Sequence, residues 1–370
     1  MGTGIGVALM SASARTLLVA ALALATPASA LEFANVSHAP MAFDPTKGET
    51  TKIRFRLSEP ARVALQVFDG RDLLVRKVAP SESLGSGDHE LVWNGRDERG
   101  RVVPPEAYVF TLTATARTGQ VVEYDLTDLV AAEALPQPVV KWDATEKELH
   151  YTLRAPARVN IRAGLANSGP LLRTLIDWAS RDAGAHTERW DGKDESGLVD
   201  ASHNPELQLV AQAWPLPRNA IVVLPERPRV ELISKLDWPE SHRSRKRTAP
   251  VKERALDQQA IERRGDVHLR LSLPEGLARD ADGVPVAHGE VAIQLDVDPA
   301  DRARLIEQRF EAGFYLDGKH MFENEIAFLP MTWVWHAGEV NQGVHYVTGN
   351  VWGYAGQCGT ATIAIRTEAN

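Results

Sequence analysis

Apolar and polar positions alternate along "KIRFRLSEPARVALQV", with Ile53, Phe55 and Leu57 on one side of a proline and Val63, Leu65 and Val67 on the other. A period of two marks a strand with one buried and one wet face. The alternation returns near residue 148 as Leu149, Tyr151 and Leu153, then Val159, Ile161 and Ala163. Between the strands of each copy lies the same tripeptide, Pro60-Ala61-Arg62 or Pro156-Ala157-Arg158. Proline cannot donate to a ladder but shapes a turn, so each copy is predicted to open on a hairpin. Each runs on through "LLVRKV" or "LLRTLI", then "WNGRDERG" or "WDGKDESG", then a last strand, "AYVFTLTATA" or "ELQLVAQAW".

Short strands punctuated by turns, with no helical period of useful length, predict an antiparallel sandwich. Trp93, Gly95, Asp97 and Gly100 recur as Trp190, Gly192, Asp194 and Gly197. Equivalent repeat positions favour a structural role for both indoles, and Asn-Gly or Asp-Gly after them demands a turn with positive φ. Beyond residue 265 the pattern changes. "DVHLRLSLP" and "EVAIQLDVDP" alternate as strands, "ADRARLIEQRFEA" predicts a short helix starting just after Pro299, and Trp333 and Trp335 share one face of a later strand. The expected fold class is all-β: three β-sandwich, immunoglobulin-like domains in a row, the first two related by internal repeat.

The order H-x-x-x-W-[ND]-G-[RK]-D-x-x-G, after a Pro-Ala-x-Val strand pair, resembles the immunoglobulin-like domain of the flagellar hook-capping protein FlgD, a module of many secreted and surface bacterial proteins. The resemblance covers 41–118 well and 139–216 less well. Where that family opens its last strand with G-x-Y, this chain has Ala107 and Tyr108 in the first copy and Glu206 in the second. Hook capping is not implied, because the family's N-terminal region has no counterpart here.

At 370 residues and 44% apolar content the chain can bury several ordinary cores. The start changes the picture: Arg15, an apolar run from Leu17 to Ala25 and the triplet Ala28-Ser29-Ala30 read as a secretory signal cut before Leu31. No later stretch approaches the roughly 20 apolar residues of a spanning helix. Expected boundaries are a signal at 1–30, an N-terminal extension at 31–40, a first domain at 41–118, a linker at 119–138, a second domain with an extra strand at 139–236, a basic linker at 237–265 and a C-terminal sandwich at 266–370. Cys358, the single cysteine, forbids an internal disulfide and reads as a buried small hydrophobe, with an intermolecular link as the lesser alternative. Net charge is −8, which argues against a nucleic-acid binder. Residues 241–264 carry eight basic and three acidic side chains. Within them Arg243, Arg245, Lys246 and Arg247 are candidate contacts for an acidic partner, anionic polysaccharide or lipid head groups, beside the plainer reading of a solvated linker.

No G-x-S-x-G, H-E-x-x-H, phosphate loop or redox cysteine pair is present. His320, Glu323 and Glu325 lie close in sequence, with His336 and His345 nearby, but strand alternation is expected to send His320 to the face opposite the glutamates. "DGKDESG" has the flavour of a calcium loop, yet Lys193 stands where an oxygen ligand is required. No cofactor, metal or catalytic residue is therefore expected. Trp335, Trp352 and Tyr354 are candidate partner-binding aromatics, weighed against a core role that the residue types favour somewhat more. The expected function is a non-enzymatic extracytoplasmic scaffold or adaptor that binds partner proteins; the alternatives are a carbohydrate-binding accessory module and a hydrolase with scattered site residues.

Overall fold

Strand alternation becomes core through two facing sheets. The computed structural model describes residues 30–70, 72–126, 135–224, 265–307 and 309–368. The first stack uses β1 (Phe33–Ala39), β2 (Ala42–Phe43), β3 (Thr51–Leu57), β4 (Ala61–Phe68), β5 (Leu74–Leu84), β6 (Gly87–Trp93), β7 (Ala107–Ala116) and β8 (Val121–Tyr124). One sheet has the order β1-β3-β6, and its partner is built on β7-β4-β5 with β8 beside β7. Ile53, Phe55 and Leu57 from one sheet meet Val63, Leu65 and Val67 from the other in a single buried cluster. Burying each such side chain is worth about 1.5–3 kcal/mol.

The second stack repeats this plan with β9 (Lys141–Asp143), β10 (Glu148–Leu153), β11 (Ala157–Leu165), β12 (Leu171–Arg181), β13 (Gly184–Arg189) and β14 (Leu207–Pro215). Its sheets are β13-β10-β9 and β12-β11-β14. The bulge repeats too: Pro80 and Ser81 oppose Ala64 in the first copy, and Asp177 and Trp178 oppose Asn160 in the second. The chain then returns. β15 (Ala220–Val223) pairs antiparallel with β7 at Ala107–Val109 and parallel with β2, so the first stack's larger sheet reads β2-β15-β7-β4-β5. The second stack is inserted between β8 and β15, two segments that line the same edge of β7.

The third stack holds β16 (Leu269–Ser272), β17 (Val286–Ala287), β18 (Glu290–Val297), α1 (Pro299–Ile306), β19 (Phe310–Leu316), β20 (Lys319–Asn324), β21 (Met331–His336), β22 (Gly343–Gly353) and β23 (Cys358–Thr367). Its sheets are β16-β18-β21 and β17-β23-β22-β19-β20. α1 starts with Pro299 in its first turn, as its pattern predicts, but it is shorter than expected: it ends at Ile306, and Phe310, Glu311 and Ala312 of the expected helical segment belong to β19.

Four expectations need correction. The Pro-Ala-Arg tripeptide does not close a hairpin, because β3 and β4 lie in opposite sheets and send their apolar faces into one core from either side. Residues 31–40 are no extension: Leu31 is buried in the first core and β1 pairs with β3 from Leu57 to Lys52. The stretch expected as a linker from 119 supplies β8. The strand expected with the second domain, at 220–223, completes the first; local alternation reports a strand but not the sheet it joins. The secretory signal up to Ser29, and the basic linker with Arg243, Arg245, Lys246 and Arg247, lie outside the described residues.

Candidate functional site

The repeated tryptophan loops are built alike. Trp93 and Trp190 are both buried, and each indole Nε1 donates to a carbonyl three residues on, Arg96 O at 3.1 Å and Lys193 O at 2.8 Å. Gly95 and Gly192 hold φ of 68° and 82°, which favours glycine. Asp97 Oδ1 accepts the N–H groups of Arg99 and Arg101 at 2.9 Å each; Asp194 Oδ1 accepts those of Leu198 and Val199 at 2.7 and 2.9 Å. Burial would raise the Asp97 carboxyl, but those N–H groups and the Arg101 guanidinium outweigh it and hold its pKa below the ordinary value. Residues 279–286 repeat the arrangement: Arg279 donates to Gly283 O as Arg96 does to Gly100 O, and Asp280 Oδ1 accepts the N–H groups of Asp282 and Val284. The signal was present in the sequence as "RDERG" and "RDADG". These are turn-forming carboxylates, and no described His, Cys, Asp or Glu residues group as a metal site.

The larger chemistry lies at the joints. β7 is buried on both faces: Tyr108, Phe110 and Leu112 point into the first core, while Ala107 and Val109 pack with Phe68, Leu216, Ala220 and Val222 under the second stack. There Glu106 Oε1 meets Arg158 Nη1 at 2.8 Å and accepts from Ser180 Oγ. Arg158, 1% exposed, also donates to Trp178 O at 3.2 Å. Trp178 has φ of 52°, the left-handed region for a non-glycine residue, at the β12 bulge. Glu106 Oε2 and Arg158 Nε and Nη2 have no partner among the described residues, so the pair carries an unrelieved desolvation cost.

The second joint uses the same face of β11 four residues on. Arg162 Nη2 donates to Asp266 Oδ1 at 2.6 Å and to Gly356 O at 2.9 Å. Asp266 also accepts from Thr174 Oγ1 and from Cys358 N at 3.1 Å, and its own N–H donates to Asp177 Oδ2 at 3.1 Å. Arg304 of α1 donates to Asp266 O at 2.7 Å. Burial, and after it the Asp266 charge, push the Asp177 carboxyl up to about 7 against the pull of Arg162 and Arg304. Cys358 is buried and its thiol is pushed up to about 12, chiefly by burial. Beside this cluster Asn350 accepts from Leu171 N at 2.8 Å and donates to Leu171 O at 2.9 Å, and Ser196 Oγ accepts from Thr362 N at 2.7 Å.

The aromatic candidates divide. Trp335 is only 2% exposed, and Trp333 packs beside it against the third core, so Trp335 is no partner-facing side chain; an inward position on β21 buries it. Trp352 is half-buried, its ring beside Gly313 of β19 with Tyr315 at 6.4 Å between ring centroids. Tyr354 is exposed and its hydroxyl reaches Glu311 Oε1 at 3.3 Å. His320 does not face away from Glu323. A bulge opposite Phe314 and Tyr315 shifts the alternation by one residue and brings His320 Nε2 to 3.5 Å from Glu323 Oε2. Glu106, Arg158, Arg162, Asp266 and Asn350 escaped sequence reading, because one copy's exposed strand face is the other's joint.

Residues 42–118 match the FlgD Ig-like domain. That range spans β2 to β7 and the first tryptophan loop. No curated protein matches the chain. Among solved structures, the chain is similar to fibronectin(III)-like modules of Clostridium thermocellum CbhA at 8% identity, covering 88% of each chain, with a TM-score of 0.20. A tetra-tandem repeat in the extending region of a large adhesion protein gives 15% identity over 91% of this chain and 74% of that one, TM-score 0.20. A bacterial ice-binding adhesin involved in host cell surface retention gives 11% identity over 92% and 99%, TM-score 0.17. At such scores these likenesses carry neither arrangement nor function to this chain. No helix among the described residues is long and apolar enough to cross a membrane.

Proposed function

We propose that the protein is an exported, non-enzymatic scaffold whose working feature is the fixed spacing of its sandwiches and whose clients are proteins of the cell envelope or surface. The observation that carries this reading is the construction of the joints. The second stack is tied to the first by two chain crossings, at β8 and β15, and by the buried Glu106–Arg158 pair. It is tied to the third by Arg162–Asp266 and by the Asn350 clasp on Leu171. Flexible tethers need no buried polar pairs; a buried pair keeps its contact in one orientation of the two parts, and separating its members strands a buried charge. The signal-like start favours work outside the cytoplasm.

The test is affinity capture from the native envelope with residues 31–370 as bait, alongside small-angle scattering of the purified chain. A scaffold enriches a defined protein set and scatters as one body whose dimensions do not change with salt. Enrichment of nothing above a tag-only control, or a distribution of interdomain distances, sinks the proposal. The exposed Tyr354 beside half-buried Trp352 favours glycan binding as a second reading. A polysaccharide panel bound by the chain and lost in Trp352→Ala selects it.

A further inference from the structure

The internal repeat supplies a template for a binding site in the second stack. In the first copy β1 pairs along β3 with Phe33 opposite Leu57 and Ala34 opposite Arg56, and the Phe33 ring packs against Phe55 at 5.6 Å. The second copy begins the same way, with β9 paired to β10 at Glu148, Leu149 and His150. Beyond His150 no described strand pairs with that edge of β10. Leu135 donates its N–H instead to Ala213 O of β14 in the opposite sheet, and neither Pro136 nor Pro138 has an N–H to give. Between this proline-bearing wall and the edge of Tyr151–Arg154 runs a groove of about 520 Å³.

The groove's titratable lining includes Lys141, His150, Arg154 and His186 but no Asp or Glu, in a chain of net charge −8. The two histidines face Glu148 and Asp182 at 3.8 and 3.6 Å, which leaves Lys141 and Arg154 as the cations that bias the groove. Lys141, opposite His150, stands at one end of the open run and Arg154 at the other; among the described residues neither is in an ion pair with a carboxylate. A strand edge offers backbone N–H and C=O groups at every second residue, and the open run is long enough for four residues at about 3.3 Å each.

We propose that this groove receives an extended acidic segment of a partner protein, added to β10 in the place that Phe33 and Ala34 take on β3 in the first copy. Main-chain pairing supplies the register, an apolar side chain meets Tyr151 as Phe33 meets Phe55, and acidic residues at either end face Lys141 and Arg154. The inference rests on the scaffold reading in that the client is a protein, and it assigns the surface.

The probe is the peptide Glu-Val-Glu-Phe-Glu-Val-amide with fluorescein on its N-terminal amine, titrated into the full mature chain and followed by polarisation and amide exchange. Saturable binding is expected, with slowed exchange at Tyr151–Leu153, at least about tenfold weaker binding to the Lys141→Glu/Arg154→Glu chain, and none of the peptide with Lys in place of Glu. No saturable binding, or undiminished binding to the charge-reversed chain, overturns the proposal. So does an alginate probe that occupies the groove and is not displaced by the peptide. Envelope capture separates the two readings. If the charge-reversed chain captures the same proteins as the unaltered one, the groove assignment falls and the scaffold stands; if neither captures any, the scaffold falls as well.

Discussion

Trp93 and Trp190 each bury an indole at a strand end and spend its only N–H on a carbonyl within its own loop. Around Trp93 the rings of Phe43 and Tyr108 lie at 5.8 and 5.4 Å, and around Trp190 that of Trp142 at 4.8 Å. Replacing such a residue by alanine leaves a cavity and costs about 3–5 kcal/mol. Trp93→Ala and Trp190→Ala lie in separate cores, so their costs should add to within about 0.5 kcal/mol in denaturant unfolding. A double variant no less stable than the weaker single would mean that the two loops are not independent supports.

At the scale of elements β15 is the decisive piece. Ile221 is fully buried in the first core although it follows the whole second stack in sequence. Ile221→Ala should therefore cost about 2–5 kcal/mol, and the loss should appear as faster amide exchange at Ala107–Val109 of β7 rather than in β10 or β11. Exchange that quickens only in the second stack would place the strand with its sequence neighbours instead. The same insertion explains why β7 buries both faces: Tyr108 and Phe110 belong to the first core, Ala107 and Val109 to the joint.

For the whole molecule the joints decide behaviour. Glu106→Ala strands the Arg158 guanidinium and should cost about 3–5 kcal/mol, whereas Glu106→Leu with Arg158→Met should be close to neutral or more stable. If the joint is what the pair specifies, the double variant unfolds at least as late as the parent but loses its fixed interdomain distances in scattering. The second joint should respond to pH. Burial and the Asp266 charge raise the Asp177 carboxyl from an ordinary value near 3.8 to about 7. A raised carboxyl favours the neutral form in the folded chain, so its contribution is complete below the unfolded value, declines as pH climbs, and is gone above about pH 7. The third stack should thus be held less firmly at pH 8 than at pH 5, read as a shift in its unfolding midpoint. Asp177→Asn should flatten that dependence. His345, held between Asp317 and Asn341, has its pKa raised as those acceptors outweigh burial, and it gives a slope of the same sign. A dependence unchanged in Asp177→Asn assigns the slope to His345 and removes it from the joint.

Period-two alternation, the twin Trp-x-Gly-x-Asp turns and the proline-led helix were legible because they are local: each is set by which face of a short segment is apolar, or by a backbone angle only glycine holds cheaply. What could not be read is how identical segments are used. Arg62 and Arg158 stand in the same Pro-Ala-Arg-Val tetrapeptide, yet the first is exposed and the second is 1% exposed against Glu106. By itself the sequence determined the strands, their buried faces and the turns between them. Only the tertiary structure decided which sheet takes β15, which outward face becomes a joint and which strand edge stays open, because those outcomes depend on surfaces brought together from residues a hundred positions apart.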